Sequence, residues 1–196
     1  MAEQFLVFDW KGKIAHFRQF DANSSSLSYS FPPPTVVMGM IAGILGIPRD
    51  EYYELLGPER LKIGIQIRSV LRKFTQSVNY IYATSPNHLN MSYKTPHTQI
   101  PLELVVPAEN FPNENLCYRV ILQFFDAELF QQLLEALRNS KYKFLPYFGS
   151  APFLSWLEWA GTVERVMEIS NQVTVVDTIA SVESIDLSTL NMTELN

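Results

Sequence analysis

Residues 29–46 read YSFPPPTVVMGMIAGILG, and the assignment of this stretch decides the fold. Three prolines lead into Thr35, and from there to Gly46 the chain is almost wholly apolar, with glycines at 39, 43 and 46. A bilayer span needs ~20 consecutive apolar residues. This run stops at Pro48 and then Arg49, Asp50 and Glu51, which is too short to cross. It also begins too far into the chain for a secretory leader, and no basic stretch with a small-residue cleavage site precedes it. The expectation is a cytoplasmic protein with no membrane partner. Within a folded domain the stretch reads as a helix: Pro34 suits the first turn, Thr35 the N-cap, and Gly46 or Pro48 the end. Gly39, Gly43 and Gly46 then share one helical face. Glycine in a helix interior costs ~1 kcal/mol relative to alanine, so the expectation is close packing of that face on a sheet.

The elements around this helix follow from periodicity. Upstream, QFLVFDWKGKIAHFRQF alternates Leu6, Phe8 and Trp10 with Phe5, Val7 and Asp9, and reads as a first strand buried on much of both faces that also carries His16. Downstream, LKIGIQIRS sets Leu61, Ile63, Ile65 and Ile67 against Lys62, Gly64, Gln66 and Arg68, a strand with one apolar face. Residues 70–101 are rich in Tyr, Asn, Ser, Thr and Pro and read as an inserted hairpin or thumb, with a turn at Ser85-Pro86-Asn87. LCYRVILQFF is a third core strand. Asp126 then caps a helix whose apolar stripe is Leu129, Phe130, Leu133, Leu134 and Leu137. A last strand starts in LSWLEWAGTVERVMEI. Leaving out the insertion, the order is βαββαβ, an α+β class chain of the ferredoxin-like (RRM-like) kind with an inserted β-hairpin thumb. The reading is of a single palm domain over residues 1–196, with the thumb at 70–101 and an acidic C-terminal segment at 166–196.

Charge is distributed unevenly. The chain carries a net charge of -5, yet from Arg60 to Leu102 there is no Asp or Glu, while Arg60, Lys62, Arg68, Arg72, Lys73 and Lys94 supply +6. The remainder therefore holds -11. Such asymmetry marks an anion-binding face inside an acidic average. Phe74, Tyr80, Tyr82 and Tyr93 are interleaved with those cations. Cations hold phosphates and rings stack on unpaired bases, the combination that single-stranded RNA requires.

Motifs for other chemistry are missing. There is no phosphate-binding loop ending in Lys-Ser/Thr, no zinc helix, no nucleophile elbow and no dinucleotide fingerprint after a strand. No cofactor or metal is expected. The single cysteine, Cys117, forms no intrachain disulfide and reads as strand packing rather than a nucleophile. His16 reads as a packed histidine. Tyr93, Lys94 and His97 have the residue types of a metal-independent RNA-cleaving set: a base, a cation for the phosphorane and an acid. The same three also grip RNA without cutting it, and both readings stand. The start of the glycine helix offers free backbone N–H groups to a phosphate. The loop YFGSAP, with Tyr147, Gly149 and Ser150, offers close backbone approach to a ligand.

Taken together, YSFPPPTVVMGMIAGILGI after the first strand, the ferredoxin-like order, the insertion after the second strand and the loop LPYFGSAPFLSWLEWAG resemble the fifth family of CRISPR-associated proteins. The resemblance runs over roughly residues 3–165 and is nearest the I-B subtype. It implies a member of the repeat-associated RNA-binding superfamily that caps the 5′ handle of the guide RNA in a type I Cascade complex. It further implies contacts with the backbone subunit, the large subunit and target DNA near the protospacer-adjacent motif. Carried over by position, the RNA-facing residues are Thr35 and Gly39 at the helix start, Arg68, Arg72, Lys73, Lys94 and His97 on the thumb and its base, and Gly149 and Ser150 in the loop. Lys11, Lys13 and Arg18 are added from the first hairpin. The resemblance implies a non-catalytic subunit, with a metal-independent endoribonuclease that processes precursor RNA as the alternative.

Overall fold

A computed structural model describes residues 4–20, 25–81 and 97–164. The elements in chain order are β1 (Gln4–Gly12), β2 (Phe17–Arg18), β3 (Ser28–Tyr29), α1 (Pro34–Leu45), α2 (Tyr52–Leu55), β4 (Leu61–Ile67), β5 (Leu71–Ile81), β6 (His97–Pro107), β7 (Leu116–Phe124), α3 (Ala127–Asn139) and β8 (Ser155–Glu164). The main sheet has the order β4-β7-β1-β8, with every neighbouring pair antiparallel. Each helical crossover, β1-α1-β4 and β7-α3-β8, thus joins two parallel strands with a third strand between them. That is the ferredoxin-like arrangement the sequence order anticipates.

The period-two pattern fixes which side of the sheet the helices cover. Leu6, Phe8 and Trp10 of β1 stand opposite Leu122, Val120 and Tyr118 of β7, and all six are fully buried. Val37 and Ile41 of α1 and Leu133 and Leu137 of α3 complete the same core. Each such side chain contributes ~1.5–3 kcal/mol by leaving water. The other face of β1 carries Val7, which is buried, and Phe5, Asp9 and Lys11, which are only half-buried, so this strand is enclosed fully on one side and partly on the other. β1 ends at Gly12, and His16 lies beyond it, beside β2.

α3 is capped as its sequence dictates. The Asp126 carboxylate accepts from the backbone N–H groups of Glu128 at 2.9 Å and Leu129 at 3.2 Å. α1 departs from expectation at its start. Its N-cap is Pro33, without any side-chain cap, and Thr35 lies exposed in the first turn. The Pro33 carbonyl accepts from Val36 and Val37, and Pro34 has no N–H to satisfy, which removes part of the need for a capping side chain. At the other end Gly46, with φ +75°, closes the helix in the left-handed region.

The glycine face of α1 does not pack on the sheet. A Cβ at Gly39 would have the Tyr52 hydroxyl as its nearest neighbour, at 3.7 Å, and one at Gly43 would meet Phe144 at 3.9 Å. Both are ordinary van der Waals distances, so close packing does not require glycine at either position. The face turns instead toward α2 and the loop after α3.

The insertion between β4 and β7 is a two-stranded hairpin, β5 with β6, paired from Leu71↔Pro107 to Ile81↔His97. Its second arm continues six residues past the 101 boundary drawn from sequence. The hairpin also pairs with the palm. Ala15 exchanges both backbone hydrogen bonds with Val105 at 2.9 Å, and Ser26 N–H donates to Pro101 while the Glu103 N–H donates to Ser26, again at 2.9 Å. The turn proposed at Ser85-Pro86-Asn87 and the acidic segment 166–196 lie outside the described residues.

Candidate nucleic-acid interface

The residues expected to meet RNA separate onto distinct surfaces. One lies at the base of the hairpin, on the sheet face away from the helices. There Lys11 and Arg68 line a polar cleft of about 630 Å³ together with the acids Asp9, Glu109 and Glu114 and with Cys117. The base is closed by backbone: Arg68 N–H donates to Cys117, and Cys117 N–H to the Ser69 hydroxyl. Several charges here are already paired across strands. Arg119 grips Asp9 through two parallel hydrogen bonds of 2.8 and 2.9 Å, and Lys11 donates to Glu158 at 2.6 Å. The bond to Glu158 holds the Lys11 ammonium above its ordinary value, and the bonds from Lys11 and then Trp156 hold Glu158 below its own. Burial raises the Cys117 thiol, which keeps it protonated and in keeping with a packing role. The Oδ1 atom of Asn115 is buried without a hydrogen-bond partner.

Along the hairpin, neighbouring residues face opposite ways. Arg72 is exposed, with its guanidinium 5.8 Å from the centre of the Phe74 ring, while Tyr80 further along the arm is half-exposed. Lys73 faces the other way and is not free. Its ammonium donates to the Ser28 carbonyl and, at 3.0 Å, to Oε2 of Glu103. The acid-free run of sequence ends one residue before the carboxylate that neutralises this lysine. Burial alone would raise the Glu103 carboxyl, but the Ser28 N–H and the Lys73 ammonium together hold it below its ordinary value. Lys13 is exposed and donates to the carbonyls of Asn113 and Glu114 at 2.9 and 3.3 Å. Arg18, in β2, is exposed. His97 begins β6, whereas Tyr93 and Lys94 lie outside the described residues, so the cleavage set is not assembled among the described residues.

A second surface lies on the helical side. Gly39 and Gly149 line one cleft of about 530 Å³, with Gly43, Arg49, Tyr52 and Tyr147 around them. Phe144, Leu145 and Leu154 stand more than 60% exposed near this loop. Burial, and then the hydrogen bond with Tyr53, push the Tyr52 hydroxyl up to about 12. The loop is held by Phe148, which packs among Trp10, Phe17 and Tyr118 at ring-centre distances of 5.0, 5.8 and 5.5 Å. Gly149, with φ +80°, is required for an internal reason: a Cβ there would stand 2.1 Å from the His16 carbonyl oxygen. Ser150 accepts from the Phe153 N–H through its carbonyl in the turn that follows. Thr35 is exposed at the start of α1, apart from the residues that line this cleft.

Sequence reasoning missed Glu103 and Arg119, and also Arg49 and Tyr52, which line the helical-side cleft. Glu103 lies beyond the thumb boundary drawn from sequence, and only the folded register puts residues 73 and 103 on diagonal positions of one face. Among the described residues no helix is long and apolar enough to cross a membrane, and no group of His, Cys, Asp and Glu side chains could hold a metal ion.

An antiparallel ferredoxin-like sheet with a hairpin inserted after its second core strand defines the chain as an α+β protein. The model of the family described as CRISPR-associated protein (Cas_Cas5) matches residues 5–119, more than half of the chain. The chain belongs to this family. No curated protein sequence matches it. Among solved structures, one described as a CRISPR RNA-guided surveillance complex is 13% identical with a TM-score of 0.50, covering 76% of this chain and 59% of its own. Another, described as the crystal structure of a Cas protein, is 15% identical with a TM-score of 0.47, covering 76% of this chain and 58% of its own. The chain thus spans less than two thirds of the length of either.

Proposed function

We propose that the chain is a non-catalytic subunit of a type I CRISPR effector complex of the I-B kind, where it binds and caps the 5′ handle of the guide RNA. The observation that carries this reading is the pair of exposed guanidinium groups, Arg68 and Arg72, at the base of an inserted hairpin in a chain of this family. Arg72 lies over Phe74, so phosphate contact and base stacking are offered side by side. Resemblance in fold to a chain of an RNA-guided surveillance complex supports the same assignment. The partners on this reading are the backbone subunit, the large subunit and target DNA near the protospacer-adjacent motif.

The test is a binding titration of purified protein with labelled repeat RNA, in EDTA, at two salt concentrations, run beside a gel for cleavage. Salt-sensitive binding that depends on the 5′ handle, without a cut, supports the proposal. Arg72→Ala should weaken binding and flatten its salt dependence by about 0.7 in the log–log slope, the share of one phosphate on a single strand. A cut at one defined position would instead make the chain a processing endoribonuclease, with His97 and Lys94 the first residues to replace.

A further inference from the structure

We infer that Lys73 and Glu103 are positioning residues that fasten the hairpin to the palm, and that Lys73 is not a phosphate ligand. In its binding arm this rests on the RNA-binding reading above; in its structural arm it does not.

The inference begins from register. Lys73 pairs with Val105 and Thr75 with Glu103, so Lys73 and Glu103 sit diagonally on one face of the hairpin, within reach of a long side chain. The two groups do more than meet each other. Glu103 Oε2 also accepts from the backbone N–H of Ser28 at 2.9 Å, and the Lys73 ammonium also donates to the carbonyl of that same residue. Two of the three ammonium donors are thereby committed, one to Ser28 of the palm and one to Glu103, which itself reaches across to Ser28. Ser28 is itself fixed, since its hydroxyl accepts from Phe17 N–H and donates to the Tyr29 carbonyl.

His16 fastens the same seam from the other side. It is 4% exposed. Its Nδ1 lies 2.8 Å from the Glu103 carbonyl and its Nε2 2.9 Å from the Ser26 hydroxyl. A carbonyl only accepts, so Nδ1 carries the proton and, in the neutral ring, Nε2 accepts from Ser26. The side chains of Lys73, Glu103 and His16 thus brace the seam that the backbone bridges Ala15–Val105 and Ser26–Glu103 define. Arg72, on the opposite face of β5, takes its orientation from a hairpin held in this way.

Hydrogen exchange on the whole chain reads the seam directly, at the amides of Ala15, Ser26, Glu103 and Val105. In Lys73→Met and in Glu103→Gln these amides should exchange at least about tenfold faster, because charge-assisted bonds holding the seam are lost. Lys73→Arg, which keeps a cation and its donors, should stay near wild type. In the RNA titration, Lys73→Met should lower affinity while its salt slope equals that of wild type, in contrast to Arg72→Ala. A shallower slope in Lys73→Met would make the lysine a phosphate ligand and overturn the proposal. Unchanged exchange in both variants would overturn it equally. Should Lys73→Met fail to fold, Glu103→Gln carries the exchange measurement. If the wild type bound no RNA, the RNA reading would fall and the exchange result alone would decide the fastening.

Discussion

Lys11 and Arg72 are both cations of the candidate interface, yet their surroundings assign them different work. The Lys11 ammonium is spent on Glu158, and the pair sits across strands where it stabilises the sheet modestly. Lys11→Ala should therefore change RNA affinity less than about twofold and leave the salt slope alone, whereas removal of Arg72 should flatten it. Glu103 gives a pH prediction. Its carboxyl is held below the ordinary value of 4.5 in the folded protein, so the unfolded chain binds its proton more readily. The stabilisation is fully present above that value and is lost as pH falls through the lower folded value. Exchange at the Val105 amide, followed from pH 6 downward after correction for intrinsic rate, should show protection lost only below about 4.5. Gly149 is the residue with least latitude. Gly149→Ala meets both a left-handed backbone and the His16 carbonyl, and a thermal melt should show a large loss of stability or no folded protein.

At the scale of elements, the two helices answer differently to substitution. Asp126→Ala should cost about 1 kcal/mol in a denaturant titration, because two first-turn amides of α3 lose their acceptor. Gly39→Ala and Gly43→Ala should act in the other direction, each stabilising α1 by up to about 1 kcal/mol, since the added methyl meets only ordinary contacts. If either variant is destabilised, the space above the glycine face is less open than the distances indicate. The same helix shows what the sequence made legible. Spacing put the three glycines on one face, but periodicity names a face without naming what lies opposite, and the face met a loop rather than the sheet. Alternation placed β1, β4 and β7 with the correct sides inward, and Asp126 was readable as a cap from its type and place. The full length of the hairpin was not readable, because Leu102, Leu104, Val105 and Val106 are buried like a core strand although they belong to the insertion.

For the whole molecule, the acidic average conceals a small number of available cations. Of the expected RNA contacts with described side chains, Arg18, Arg68 and Arg72 are exposed and form no ion pair among the described residues, Lys13 donates to two main-chain carbonyls, and Lys11 and Lys73 are committed to carboxylates. Three phosphate contacts on a single strand correspond to a log–log salt slope of roughly -2 for the isolated chain. A slope much steeper than that would bring in cations beyond these three. The candidate site was legible as a charge imbalance along the chain, but its partition over the hairpin base and the helical cleft was not, because only the folded register shows which lysines find acids.

His16 touches both the glycine loop and the hairpin. Its backbone carbonyl lies against Gly149 and its ring braces Glu103, so the loop and the hairpin are linked in series through one residue rather than attached to the palm independently. A ligand that displaced the loop by the width of a methyl group would bear on this joint, and the tilt of the hairpin would be the quantity that records it.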